Sequence, residues 1–297
     1  VILCHAEGDG LGHLTRVRAF LHTTGRRGPV AYRTASPFAA DPRVVGAVAP
    51  GEFVAGAADS PDEFVGGSGG PDESVEAGAS GEPAGAEASG VPDEFVVDAF
   101  PAGRDGELSA ADVPPGARTI HLARLLRWDV YRERLPTDPI RYDRTYVLED
   151  LHPEHLAYLR SVSDELLPLV LRDPPAPPAG EPVRGWLIVH SGPDAEILEL
   201  AAYALDMAAS EGVAPEMTLV APRRPDGLPP GIVHRDVYPA WPLAAGADRL
   251  VTAAGFNAVR QFAPWRERHR MLPFPRTLDD QFARARQARS LGSTSAP

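Results

Sequence analysis

Short, continuous apolar runs, each handing over to a loop and then a helical segment, recur along both halves of this 297-residue chain. That alternation limits the fold more than any other feature. A strand with apolar residues on both faces must be covered from both sides, which is the condition of a parallel sheet flanked by helices. In the second half, residues 185–189, 217–220, 232–237, 249–252 and 271–274 read as strands. A helix is expected over 193–209, and others from near Phe256 and Leu278. In the first half, residues 1–4, 30–34, 119–122 and 145–148 read as strands, with helices over 13–23 and 153–167.

Two breaks interrupt the pattern. Four prolines fall within the eight residues Asp173-Pro174-Pro175-Ala176-Pro177-Pro178-Ala179-Gly180, which makes a stiff extended spacer. The other break is acidic. No basic residue lies between Arg43 and Arg104, and 12 acids lie between Glu52 and Asp98. Residues 56–90 are rich in Gly, Ser, Ala, Pro and Glu. A degenerate repeat, Pro61-Asp62-Glu63-Phe64-Val65 and Pro71-Asp72-Glu73-Ser74-Val75, recurs just beyond as Pro92-Asp93-Glu94-Phe95-Val96. With few apolar anchors and one sign of charge, the segment reads as a disordered insertion. Its Gly66-Gly67-Ser68-Gly69-Gly70 matches a nucleophile-elbow pattern but lacks the strand and helix that such an elbow needs. The expected architecture is therefore α/β: two doubly wound, Rossmann-like domains, 1–172 and 184–297, joined by the Pro-rich linker 173–183. Ligands of such sheets bind beyond the carboxyl ends of the strands, here in an interdomain cleft.

Composition removes several functions. All 29 basic residues are arginine. Without lysine there is no Schiff base, no lysine-anchored pyridoxal phosphate and no Gly-Lys-Ser/Thr phosphate loop. The net charge of −12 belongs to the acidic stretch, outside which 29 acids face 29 arginines. Neither a nucleic-acid footprint nor a polybasic membrane patch is expected. Cys4 is the single cysteine, which excludes an intrachain disulfide and a cysteine-rich zinc site. No apolar run is long enough for a transmembrane helix, and the first run is too short for a signal peptide. A cytoplasmic setting is the expectation.

Four strand-to-helix loops carry the candidate chemistry. Glu7-Gly8-Asp9-Gly10-Leu11-Gly12-His13 permits a tight turn and close approach to a ligand, and places His13 near a positive helix end. That end lowers an imidazole pKa, as a general base requires. Arg16, one turn on, is available for a salt bridge across the cleft. His190-Ser191-Gly192-Pro193 precedes a helix whose first free N–H groups, on Asp194 and Ala195, suit a diphosphate, although Asp194 and Glu196 already answer the helix dipole. Gly255-Phe256-Asn257 opens a third helix with the chain's one asparagine. Arg276, Asp280 and Gln281 surround the start of a fourth, where Arg276 and Gln281 offer donors to anions and hydroxyls.

Gly10-Leu11-Gly12-His13, together with Gly255 through Gln261 and Asp279-Asp280-Gln281, resembles the MurG-like glycosyltransferases of the GT-B fold, the family-28 C-terminal type. The resemblance spans both halves at the level of motifs and does not extend to the acidic insertion. It implies a GT-B-like arrangement, with an acceptor on the N-terminal domain and a nucleotide-diphosphate sugar on the C-terminal one. It further implies His13 beside the reacting hydroxyl, Ser191 and Gly192 by the diphosphate, and Gln281 by the donor sugar. Gln261 then stands where the family grips the ribose hydroxyls with a glutamate. The neutral amide forgoes a charge-assisted hydrogen bond, about 1 kcal/mol or more.

No Asp-x-Asp occurs, and His152-Pro153-Glu154-His155 lacks zinc-ligand spacing. The function expected is metal-independent transfer of a hexosyl or N-acetylhexosaminyl group to an acceptor alcohol, with His13 as base and no resident cofactor. Hydrolysis or 2-epimerisation of the nucleotide sugar is an alternative on the same fold. A non-catalytic nucleotide-sugar-binding module is another.

Overall fold

The computed structural model describes residues 1–8, 10–45, 53–54, 91–177 and 182–293. Asp9, the insertion with its first two repeat copies and the elbow-like glycine run, and Pro178 to Glu181 of the linker lie outside the described residues.

Among the described residues, twelve strands form two sheets. The first contains β1 (Ile2–His5), β2 (Val30–Arg33), β3 (Phe53–Val54), β4 (Glu94–Ala99), β5 (Arg118–Ala123), β6 (Tyr142–Val147) and β7 (Ser163–Pro168). Their order across the sheet is β3-β2-β1-β4-β5-β6-β7. The second contains β8 (Trp186–Val189), β9 (Met217–Val220), β10 (Ile232–Arg235), β11 (Arg249–Ala253) and β12 (His269–Leu272), in the order β10-β9-β8-β11-β12. All the strand pairings are parallel. The helices are α1 (Leu11–Thr23), α2 (Pro42–Val45), α3 (Trp128–Tyr131), α4 (Pro153–Val162), α5 (Asp194–Ser210), α6 (Phe256–Gln261) and α7 (Gln281–Ser293).

The apolar runs divide between faces as a period of two requires. In the first sheet Ile2, Cys4, Val96 and Ile120 pack with Leu14, Val17 and Phe20 of α1. Leu3, Phe95 and Val97 point the other way, onto Ile140, Tyr142 and Val162. In the second sheet Trp186, Ile188 and Leu219 meet Ile197, Leu200 and Ala204 of α5. Leu187, Val220 and Leu250 meet Leu243 and Phe262. Each large apolar side chain buried in these layers contributes about 1.5–3 kcal/mol.

Two elements depart from the sequence expectation. Residues 92–96, the last copy of the degenerate repeat, lead into and partly form β4, which lies between β1 and β5 at the middle of its sheet. Phe95, Val96 and Val97 are fully buried there, so a central sheet position outweighs the compositional likeness to the insertion. The helix expected over 153–167 stops at Val162, and Ser163 turns to extended backbone at φ −126°, ψ 138°. Residues 163–168 then pair with β6, and Thr145 shares a 2.7 Å hydrogen bond with Ser163. The outer edge of β6 would otherwise present unpaired amides and carbonyls. Closing it with a further strand outweighs the helix propensity of the Glu-Leu-Leu segment.

Ion pairs and hydrogen bonds, one of them between backbones, join the two halves. Arg284 of α7 binds Glu149 at 2.7 Å and Asp279 at 2.8 Å. Arg127 N–H donates to the Leu278 carbonyl at 2.8 Å, and Thr15 shares a 2.8 Å bond with Tyr238. Arg260 pairs with Asp173 in the linker at 2.8 Å. Among the described residues no helix is long and apolar enough to cross a membrane.

Candidate functional site

In each sheet the chain leaves its first strand to one side, then returns to pair on the other. The first sheet changes direction between β1 and β4, the second between β8 and β11. Loops diverge at such points and leave a crevice beyond the strand ends. The two crevices face one another, and the loops after β1, β4, β8 and β11 line their junction.

His13 lies in the first turn of α1, after Gly10 at the N-cap. Its ring rests so close to Gly8 that a Cβ there would come within 2.4 Å of His13 Cδ2, which explains a glycine at that place. His13 Nδ1 lies 2.7 Å from Asp98 Oδ2, at the end of β4. Because Asp98 is a carboxylate, Nδ1 carries the proton and donates it, and Nε2 is left as the acceptor. Contrary to expectation, Arg16 makes no salt bridge across the cleft among the described residues, although its guanidinium lies 5.4 Å from the ring centre of Phe256 in the second half. Its Nε and Nη2 each donate to Asp98 at 2.6 Å, since the end of β4 lies directly beneath this face of α1.

Burial alone would raise the Asp98 carboxyl pKa, but the Arg16 guanidinium and the His13 hydrogen bond overcome it and hold the group well below the usual carboxylate range. For His13 burial is the larger influence and lowers the pKa, against the opposing pull of Asp98. The imidazole is thus neutral near pH 7, with a buried anion behind it to stabilise the imidazolium formed by proton capture. Immediately after Asp98, Ala99 has φ +69°, and Phe100 N–H donates back to the Asp98 carbonyl at 2.8 Å. This γ-turn is a strained conformation for a residue with a Cβ. It turns the chain sharply just where the carboxylate must face α1.

Two cavities meet at His13. The inner one is about 270 Å³ and the outer about 650 Å³. Gly12, His13, Arg16 and Ser191 line the inner cavity, as do Gly255, Asn257, Gln261 and Gln281. Gly10, His13, Ser191, Gly192 and Arg276 line the outer one. Asp280 lines neither; its Oδ1 accepts the Ala283 N–H at 2.8 Å and so caps α7. Asn257 Nδ2 donates to the Gly12 carbonyl at 2.8 Å, directly joining the loops of the two halves. Gln281 accepts the Phe274 N–H at 3.0 Å, and Gln261 donates to Asp173 at 3.0 Å.

The start of α5 differs from expectation. Pro193, expected inside the first turn, is the N-cap, and no side chain caps the helix. Instead Glu196 folds over this end, bonded to His190 Nε2 at 2.8 Å and to Arg276 through both oxygens. Burial raises the Glu196 pKa, but His190 and Arg276 reverse this and bring it down to about 2. Gly192 permits the closure, because a Cβ there would come within 2.4 Å of His190 Nε2.

Arg124, at the end of β5, lines both cavities with a side chain only 7% exposed. It pairs with Asp279, yet its buried Nε has no partner among the described residues. Burial lowers its pKa, as do the charges of Arg16 and Arg284, against the opposing charge of Asp279. Sequence reasoning missed Asp98, Arg124 and Glu149, and it named Asp279 only as part of a motif, without a role. Asp98 did leave a trace, an acid closing the apolar run Phe95-Val96-Val97. The others are separated along the chain and meet only through the fold. Among the described residues no group of three or more His, Cys, Asp or Glu is arranged to hold a metal ion.

No protein-family model matches the chain, and no curated protein does. Among solved structures, one titled as the glycotransferase of kitacinnamycin overlaps 98% of this chain and 84% of its own at 16% identity, with a TM-score of 0.47.

Proposed function

We propose that this chain is a GT-B-like, metal-independent glycosyltransferase that moves a hexosyl or N-acetylhexosaminyl group from a nucleotide-diphosphate sugar to an acceptor alcohol. The observation that carries this reading is the His13–Asp98–Arg16 assembly at the junction of two cavities. Its Nε2, which has no hydrogen-bond partner among the described residues, fits a base acting on a hydroxyl, and a cavity on each side leaves room for two substrates. The inner cavity, with Val189, Val220, Val237 and Phe262 on its walls, suits the apolar body of a nucleoside and its sugar. The outer cavity takes the diphosphate on its side formed by Gly192, Pro193 and Arg276, and the acceptor alcohol on its side formed by Gly10 and His13.

In the reaction His13 Nε2 takes the acceptor O–H proton as that oxygen attacks C1 of the sugar. The C1–O bond to the diphosphate breaks, and the diphosphate leaves with the electron pair. Asp98 stabilises the imidazolium. The developing negative charge faces the N–H groups at the start of α5 and the guanidinium of Arg276. Arg276 is already bonded to Glu196, so a diphosphate must share that cation. Gln261, turned to Asp173, offers the ribose an amide in place of a carboxylate.

Calorimetric titration with UDP-, GDP- and dTDP-sugars, combined with turnover in the presence of a panel of alcohols, tests the reading. Donor binding is expected, and His13→Ala should lower turnover about 10²- to 10⁴-fold with donor affinity nearly unchanged. A folded protein that binds none of these at millimolar concentration would end it. Rapid donor consumption without any acceptor would instead identify the hydrolase. Binding with no turnover of any kind would leave a nucleotide-sugar-binding module.

A further inference from the structure

Away from the cleft, the second sheet has another concavity of about 1070 Å³. It lies at the amino end of β12, where Arg266, Arg268, Arg270 and Arg289 converge with Glu267 as the one carboxylate on its wall. β12 is the edge strand of its sheet, and the cleft begins beyond its other end, at Arg276.

These four arginines differ from most others in the molecule. Arg16, Arg26, Arg43, Arg144, Arg249 and Arg284 each hold a carboxylate. Arg268 donates to the Ala247 carbonyl, Arg270 to those of Glu267 and His269, and Arg289 to that of Met271. None of the four forms an ion pair among the described residues, in a chain with 41 acids and 29 arginines. Backbone carbonyls hold three of these guanidinium groups, those of Arg268, Arg270 and Arg289, without neutralising them. Their combined field reaches the neighbouring His269: burial first, then the charges of Arg266 and Arg270, push its pKa down to about 4. Like charges held together repel, and an anion seated among them removes that cost. Guanidinium forks match phosphate oxygens two at a time, and Trp265 and Tyr203 add flat aromatic surface to the wall.

We propose that this concavity is a second binding site, separate from the cleft, for a phosphate-bearing ligand held by Arg266, Arg268, Arg270 and Arg289. Such a phosphate belongs either to a soluble compound or to an anionic lipid headgroup. The chemistry of capture is the same, and only experiment separates the sources.

The test uses the full chain with two probes: sodium pyrophosphate in calorimetry at low salt, and flotation with vesicles of phosphatidylcholine alone or mixed with phosphatidic acid. Two variants report on the site. Arg266→Ala/Arg289→Ala removes the guanidinium groups least involved in the fold, and Arg270→Gln keeps a donor while removing charge. Thermal midpoints check that both remain folded, and Arg276→Ala serves as the cleft control. Pyrophosphate binding that weakens tenfold or more in the double variant and in Arg270→Gln, but not in Arg276→Ala, supports a soluble ligand. Flotation only with phosphatidic acid, lost in the same two variants, supports a headgroup. Binding that depends on Arg276 alone, or binding of neither probe by the folded protein, overturns the proposal. Because neither readout involves sugar transfer, the site can fail while the glycosyltransferase reading stands, and the reverse.

Discussion

The two sides of the cleft are built on the same plan, a parallel sheet with a loop and a helix start at its point of reversal, yet they hold charge in opposite ways. On the first side Asp98 is fully buried, fixed by two bonds from Arg16 and one from His13. On the second side Glu196 and Arg276 are 15% and 32% exposed, with Arg276 on the wall of the outer cavity. A buried charge that loses its partner costs about 3–5 kcal/mol, whereas a part-buried pair that solvent still screens gives up less when it is broken. The first arrangement is therefore rigid before any ligand arrives. In the second, an incoming anion can exchange one partner for another cheaply. Fixed geometry suits proton transfer, and exchangeable pairing suits the diphosphate of the proposed donor, which would bind and then leave.

The sharpest way to break this contrast is to alter Asp98. Asp98→Asn keeps the shape but removes the charge that stabilises the imidazolium and turns one acceptor oxygen into an NH2 donor, so the His13 tautomer is no longer fixed. Turnover should fall about 10²- to 10⁴-fold with little change in donor affinity. Asp98→Ala goes further and leaves Arg16 buried without an anion, for a loss of about 3–5 kcal/mol by denaturant unfolding. If Asp98→Ala cost under about 1 kcal/mol, the first side would be no more rigid than the second.

The same contrast marks what the sequence made legible. His13, Ser191, Asn257 and Gln281 follow strand-like runs at loops, and a local pattern of run, glycine and helix was enough to direct attention to one cleft. Most strands of the second half lie within a few residues of their expected places, because short apolar runs between breakers have few alternatives. Asp98 was hidden for a physical reason: the acids and prolines just before it match those of the insertion, and only pairing with β1 and β5 makes residues 94–99 a strand. The Glu149–Arg284–Asp279–Arg124 chain was hidden because its members lie up to 160 positions apart (135 between Glu149 and Arg284). Charge at that separation has no sequence period.

Acid should separate the halves next. Buried His121 and His155 of the first half have pKa values lowered by burial to about 4 and about 3, and His269 of the second to about 4, against a usual value of 6.5. Below 6.5 the unfolded chain takes up protons that the folded chain refuses, so stability falls as pH drops from 6.5 toward these values. Each histidine contributes a slope of about 1.4 kcal/mol per pH unit. With two of the three, the first half should be the more acid-sensitive. Both ring nitrogens of His155 are buried without partners among the described residues, and its ring stacks on Trp128 at 4.4 Å. His155→Phe should therefore flatten the slope between pH 6.5 and 4.5, read by denaturant titration at several pH values. An unchanged slope would show that this imidazole is not the group that resists protonation.

On the second side, Arg276→Ala should leave stability within about 1 kcal/mol of the parent. It also leaves Glu196 facing the site without its guanidinium partner. Donor affinity should weaken about tenfold, the equivalent of one charge-assisted hydrogen bond. Glu196→Gln in the same background should recover part of that loss, because it removes the carboxylate that repels the diphosphate. Affinity that is indifferent to both changes would mean that the exchangeable pair takes no part in binding.

Ala99→Gly gives the smallest effect and probes the rigid side most finely. Ala99 is buried at φ +69°, where a Cβ costs about 1–2 kcal/mol. Glycine removes that cost but loses about 0.5–1 kcal/mol through the greater freedom of its unfolded chain. Stability should therefore change by no more than about 1 kcal/mol. Turnover is the informative quantity, because the γ-turn holds the Asp98 carboxylate toward His13 and Arg16, and a looser turn lets it drift. A few-fold fall in kcat at unchanged stability and unchanged KM would show that the strained turn positions the acid. If kcat were unaltered, the bonds from Arg16 would be sufficient to hold Asp98, and rigidity on this side would come from charge pairing rather than from the backbone.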